Sequence, residues 1–154
     1  MDQTVLCYIE NNEQYLMLFR NKKLNDINEG KWIGIGGHLE EKETKEEALL
    51  REVKEETNLT LKSFVCRGEI LFSTGDIKET MYLYTSNEYE GEIRECDEGE
   101  LKWIPFTQIM SLNLWEGDRI FLPKLMNSKE FIKLELYYEK DKLVKVVEKE
   151  ENNL

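Results

Sequence analysis

Residues 30–61, GKWIGIGGHLEEKETKEEALLREVKEETNLTL, set glycines at 34, 36 and 37 ahead of a run of charge that ends in Glu52, Glu55 and Glu56. Thr44 followed three residues later by Glu47 makes a capping box, so a helix is predicted from Lys45 to about residue 57. At about 100° per residue, Leu49, Leu50, Val53 and Thr57 share one stripe. Glu52, Glu55 and Glu56 gather on a neighbouring stripe, and Arg51, Lys54 and Glu47 point elsewhere. Three carboxylates beside a buried face repel one another where water screens them poorly, and a divalent cation resolves that conflict. Asn58 stands where a helix end often turns left-handed, and the three glycines let the backbone approach a ligand closely. The competing reading is a solvated helix with Glu/Lys pairs behind a glycine-rich turn.

Working outward, TVLCYIE (4–10) and QYLMLFR (14–20) read as a strand pair turning at NNE, and FVCRGEILFS (64–73) with ETMYLYTS (79–86) as a second pair around TGD. ELKWIPF (100–106) is a shorter strand, and FIKLELYYEKDKLVKVVEKE (131–150) a late hairpin turning at EKDK. Weaker helical stretches fall near 107–111 and 118–127. Helices lie between strands, so the expected class is α/β, a mixed β-sheet sandwiched between α-helices. With 154 residues, 40% of them apolar and no linker, the chain reads as one domain over 1–154, with 148–154 a solvated tail.

The 32 acidic against 21 basic residues give a formal charge of −11, which argues against nucleic-acid polymers and anionic membranes and suits recruitment of divalent cations. Cys7, Cys66 and Cys96 form no CxxC pair, so neither a disulfide framework nor a zinc site is expected. No leader or long apolar run is evident, and a reducing cytoplasm is the expected compartment.

Gly37, five residues, Glu43, seven residues and then REVKEETNL (51–59) resembles the Nudix box of the Nudix hydrolases, with Asn58 where that family usually has Gly. The resemblance implies the Nudix fold. It further implies that Glu52, Glu55 and Glu56, with the Gly36 carbonyl, hold Mg²⁺ or Mn²⁺ on a substrate diphosphate, and that Glu43 and Arg51 are an ion pair bracing the loop against the helix. GKWIGIGGHLEE (30–41), ECDEGELKWIPFTQI (95–109) and LWEGDRIFLP (114–123) extend the likeness to MutT-type enzymes, especially the animal-type oxidised-purine nucleoside triphosphatases.

By that likeness Glu98 is a fourth carboxylate at the metals, with Asp97 close behind; a solvated acidic loop is the alternative. Trp115 and Asp118 match an aromatic and an acid at the nucleobase, against core packing and a helix N-cap. Trp32 and Trp103 read as structural. Ile33 stands where those enzymes carry a base-reading Asn, and His38, beside Gly37, replaces a Lys that commonly faces phosphate. Arg20, Lys22 and Lys23 either contact phosphate or are solvated. The implied activity is Mg²⁺-dependent cleavage of a nucleoside triphosphate, 8-oxo-dGTP leading, to monophosphate and pyrophosphate, with Glu55 or Glu98 as base. The rivals are a pyrophosphatase for another nucleoside diphosphate linked to a group X, and a silent nucleotide-binding regulator. The expected partner is a small nucleotide, and the expected state monomer or homodimer.

Overall fold

The computed structural model describes residues 2–149. The helix signals in the charged stretch are realised residue by residue. Helix α1 (Lys45–Thr57) starts at Thr44, whose hydroxyl accepts from the Glu47 amide at 3.1 Å while Glu47 returns a bond to the Thr44 amide at 2.9 Å. It ends at Asn58, left-handed at φ 69°, with the Asn58 side chain donating to the Glu92 carbonyl at 3.0 Å. Because a β-branched residue resists that backbone, Asn58→Val is expected to cost about 1–2 kcal/mol. Asn58→Gly, which relaxes the backbone but gives up the side-chain bond, is expected to change stability by less than about 1 kcal/mol. Urea denaturation of both variants checks this; a harmless Val would contradict it.

A six-stranded mixed sheet runs β4-β1-β6-β5-β8-β9, and a three-stranded sheet runs β3-β2-β7. The strands are β1 (Asp2–Ile9), β2 (Gln14–Arg20), β3 (Trp32–Ile33), β4 (Ile35–His38), β5 (Thr60–Thr74), β6 (Ile77–Glu90), β7 (Gly99–Pro105), β8 (Ile132–Glu139) and β9 (Lys142–Glu148). The predicted pairs around 74–76 and 139–142 are the antiparallel pairs β5–β6 and β8–β9. The short helix α2 (Phe106–Ile109) and helix α3 (Asp118–Asn127) fall where helical stretches were expected.

Strand β1 is buried on both faces. Val5, Cys7 and Ile9 meet Ala48, Leu49 and Val53 of α1, while Leu6 and Tyr8 meet Phe121, Leu122 and Leu125 of α3. The alternation of a strand thus builds one core with each helix, and the large sheet lies between them. Among the described residues no helix is long and apolar enough to cross a membrane.

Two expectations are corrected, at the turn 11–14 and at Leu50. The turn at 11–14 forms, with Asn12 and Glu13 both at positive φ, but β1 and β2 part after a single bridge, Glu10–Tyr15, into different sheets. The competing reading of the glycine-rich run as a turn fails: Gly36 and Gly37 lie in β4, paired with Leu6 and Val5. A Cβ at Gly36 would collide with the Val5 carbonyl, so glycine is needed there for strand approach. Leu50 is 39% exposed, and the buried stripe of α1 runs through Ala48, Leu49, Val53, Glu56 and Thr57. Of the tail, Glu148 and Lys149 are exposed and residues 150–154 lie outside the described residues.

Candidate active site

The helix carries its three carboxylates on one side but in three environments, and their ligand atoms do not all lie within 4.8 Å of one another. Glu55 is exposed, Glu52 is half-buried, and Glu56 is buried. Glu56 Oε2 accepts from the Gly36 amide at 3.2 Å, so what Gly36 is seen to offer the cluster is its N–H. Gly37 clears room on the other side: a Cβ there would lie 2.6 Å from Glu52 Oε1. Burial, with the neighbouring charges of Glu52 and Glu98, pushes the Glu56 carboxyl up to about 9. Burial also raises Glu52, opposed by the Arg51 guanidinium.

Arg51 is the hub of the helix face, and its guanidinium reaches the acid stripe as well as Glu43. It is bidentate to Glu43 at 2.7 and 2.9 Å, and reaches Glu52 at 2.8 Å, Glu55 at 3.2 Å and the His38 carbonyl at 3.1 Å. The Arg51–Glu43 pair read from the motif is thus formed, and it holds the Glu43 carboxyl down at about 2. Glu98 arrives from the turn before β7 and lies beside Glu56, whose carboxyl it helps to raise. Its own Oε2 accepts from Arg20 at 2.5 Å, and Lys23 Nζ stands 3.9 Å away. Asp97 is exposed.

These four glutamates offer only hard oxygen donors, and one of them is buried and disfavoured as an anion. That donor set fits Mg²⁺ or Mn²⁺, whose charge would reverse the cost of ionising Glu56. Arg51 and Arg20 currently draw Glu52, Glu55 and Glu98 toward themselves. Among the described residues, the trio whose ligand atoms all lie within 4.8 Å of one another is instead Asp2, His38 and Glu79, at the exposed edge by β4. His38 is 63% exposed and 3.9 Å from Glu79, so it faces that trio and has the surface position expected of it.

The basic residues divide. Arg20 is neither solvated nor free for phosphate: it is buried, bonded to Asp26 at 2.6 Å and to Glu98. Lys22 pairs with Glu95 at 2.5 Å, and Lys23 is 58% exposed beside the cluster.

On the α3 side, Trp115 is half-buried, its Nε1 donating to Asn28 Oδ1 at 2.8 Å. The Tyr138 ring meets it edge-on at 5.8 Å, and the Lys31 ammonium sits 5.0 Å from its centroid. Phe72 and Met81 line the same apolar cluster, and Trp32 packs there too, whereas Ile33 and Trp103 pack in the other. Asp118 is buried and is the first residue of α3; Gly117 is the N-cap, so the capping alternative is excluded. Among the described residues the Asp118 carboxylate makes no side-chain hydrogen bond. Burial pushes it up to about 7, with Lys31 and Arg119 pulling the other way.

Sequence reading passed over Tyr8, whose fully buried hydroxyl lies near the Gly34 amide and feels the Asp118 charge. It passed over the Asp26–Arg20–Glu98 connection as well. Arg20 and Glu98 are far apart in sequence, and no local signal links them.

A family model described as the NUDIX domain matches residues 2–125. The chain is 33% identical over 105 residues to a Danio rerio protein named oxidized purine nucleoside triphosphate hydrolase, covering 67% of each. It is 31% identical over 104 residues to the Mus musculus protein of that name, covering 66% of this chain and 67% of the other. A crystal structure of a MutT protein from Bacillus halodurans superposes with a TM-score of 0.87 at 22% identity, covering 96% of this chain and 97% of that one.

Proposed function

The chain belongs to the Nudix family of hydrolases, and from that premise we propose that it cleaves a purine nucleoside triphosphate to the monophosphate and pyrophosphate, an oxidised purine such as 8-oxo-dGTP being preferred. Residues 1–154 act as one Nudix unit, monomer or homodimer, in the cytoplasm. The substrate is a small nucleotide and no nucleic-acid polymer, as the formal charge of −11 favours.

Glu52, Glu55, Glu56 and Glu98, with the Gly36 carbonyl, hold Mg²⁺, or Mn²⁺ in its place. Cation chemistry there supplies charge neutralisation at the phosphates and acidification of water. Arg51 fixes the Glu52 and Glu55 carboxylates on one guanidinium, from which the cation would take them, and Gly37 leaves space for the Glu52 carboxylate. Glu55 or Glu98 takes the proton of the attacking water; Glu56 is the weaker base candidate because burial keeps it from the solvent. Lys23, exposed beside Glu98, and His38, which follows Gly37 on β4, are the candidates to meet phosphate oxygens.

The observation that carries the base assignment is the buried, unpartnered carboxylate of Asp118 in an aromatic wall. A carboxylate so placed needs donors, and a purine edge presents adjacent N–H groups. A base on the Trp115 face displaces the Lys31 ammonium. Base stacking, worth about 1–3 kcal/mol, outweighs an exposed cation–π contact of about 0.5–1 kcal/mol.

A product-resolved screen of canonical and oxidised nucleotides, nucleotide sugars, dinucleotides and coenzymes tests the reading. Asp118→Asn is expected to lower kcat/KM for the preferred purine by about 5- to 150-fold, the equivalent of about 1–3 kcal/mol, and to leave poor substrates little changed. Because the carboxyl is raised to about 7, kcat/KM for that purine should climb as pH rises through 7 and the anion forms, a step absent from the variant. Equal loss on all substrates would make Asp118 structural. Preference for an X-linked diphosphate would favour the pyrophosphatase reading, and binding without turnover the regulator.

A further inference from the structure

A polar chain crosses from Trp115 to the carboxylate cluster. Trp115 Nε1 donates to Asn28 Oδ1 at 2.8 Å, and the Asn28 amide donates to Asp26 Oδ1 at 3.2 Å. Asp26 Oδ2 accepts from Arg20 Nε at 2.6 Å, and Arg20 also donates to Glu98 Oε2 at 2.5 Å. Glu98 lies beside Glu56. The middle of this chain is deep: the Arg20 and Asp26 side chains are 8% and 6% exposed.

The backbone makes Arg20 the root of the connecting loop. Its amide donates to the Lys31 carbonyl at 3.0 Å and its carbonyl accepts from the Gly30 amide at 2.8 Å, so the loop 21–29 leaves and returns at this one residue. The tip, by contrast, is loosely held, with Leu24 88% and Ile27 72% exposed. Asp26 and Asn28 tie the second half of the loop to Arg20 and Trp115, while its first half is held at Lys22, whose amide donates to the Glu98 carbonyl at 3.2 Å and whose ammonium pairs with Glu95. A buried ion pair contributes little net stability over an apolar pair, so stability alone does not account for an arginine shared by two carboxylates here.

We propose that Arg20 is a positioning residue that couples the nucleobase wall to the cation centre. This rests on the reading of Trp115 and of the glutamate cluster given above. With the wall filled, Trp115 is fixed, Asn28 and Asp26 are held against Arg20, and the guanidinium charge is divided between Asp26 and Glu98. Glu98 then meets only part of the guanidinium charge, as in the present contacts, and is the more easily given up to a divalent cation. With the loop released, the guanidinium charge falls on Glu98 alone and competes with the cation.

The test uses binding, not turnover. Mn²⁺ is titrated into the protein by electron paramagnetic resonance with and without 8-oxo-2′-deoxyguanosine, a nucleoside that lacks phosphates and so cannot chelate the ion. The Mn²⁺ site in question is the one abolished in Glu56→Gln. The nucleoside is expected to tighten Mn²⁺ by about threefold or more, and Mn²⁺ to tighten the nucleoside by the same factor, since coupling of binding free energies is reciprocal. In Asn28→Ala, a half-buried loop position whose loss spares the core, both ligands should still bind and the factor should fall to one. Asp26→Asn should weaken Mn²⁺ even without nucleoside. Independent binding of the two ligands in the wild type, or a wild-type factor in Asn28→Ala, would overturn the coupling while leaving the site reading intact. Failure of either ligand to bind at all would remove the site reading and the coupling with it.

Discussion

Replacing Glu56 by Gln is expected to lower kcat by about a thousandfold or more, the equivalent of about 4 kcal/mol of lost transition-state stabilisation, and yet to stabilise the cation-free fold at alkaline pH. The two effects have one origin. Glu56 is buried against Gly36, with Glu52 and Glu98 beside it, so its carboxyl is raised from 4.5 to about 9. A group raised on folding contributes stability that is fully present below its unfolded value, and that contribution is lost as pH rises through the folded value. The wild type should therefore lose stability between about pH 4.5 and 9, and the neutral Gln should not. Scanning calorimetry across that range should show the variant's Tm matching the wild type near pH 4.5 and exceeding it increasingly toward pH 9. Mg²⁺ should raise the wild-type Tm and leave the variant's unmoved. Glu55→Gln should lose comparable activity without the stability gain, because Glu55 is exposed. Near-normal turnover of either variant under limiting Mg²⁺ would remove the cluster from the chemistry.

Arg51→Ala carries the second large effect. One guanidinium serves Glu43, Glu52, Glu55 and the His38 carbonyl, so its removal leaves three acids without their cation and unpins the end of β4 from α1. A fall in Tm of roughly 5–10 °C is expected, together with a loss of activity of about tenfold or more. The acid limb identifies the partner. Glu43, held at about 2 in the fold, contributes stability above about 4.5 that is lost as pH falls through 2. The wild type should lose stability steeply over that window and Arg51→Ala more gently. An unchanged Tm would show that the guanidinium network does not brace the fold.

What could be read in the chain was what is local. The capping box, the spacing of Glu52, Glu55 and Glu56 and the left-handed end at Asn58 all lie within one helix, where 3.6 residues per turn dictates neighbours. The strand pair 60–90 and the hairpin 132–148 were equally legible, since each closes on its own turn. Where tertiary geometry decides, reading failed. The turn at Asn12 and Glu13 is sound, but nothing local says that β1 and β2 then join different sheets. The glycines at 36 and 37 hid a strand because their purpose is clearance for Val5 and for Glu52, not a turn. Leu50 was misplaced because a helix stripe adjoining acids is wider on paper than the face that α1 presents to β1. Arg51 and Arg20 mark the deepest limit. Their side chains are long enough to choose among several acids, and the register of β2 with β7, which sets Arg20 opposite Gly99 and so near Glu98, is not written in either segment.

A glutamate cluster that works through a divalent cation should split a purine nucleoside triphosphate into two defined products. Ion-exchange chromatography of the products from 8-oxo-dGTP, with Mg²⁺ and with the cation chelated, tests it most directly. The expected result is monophosphate and pyrophosphate in equal amounts, at a kcat/KM well above that for dGTP, with nothing formed when the cation is chelated or in Glu56→Gln. Diphosphate with orthophosphate, turnover that persists without the cation, or no cleavage of any nucleoside triphosphate would contradict it.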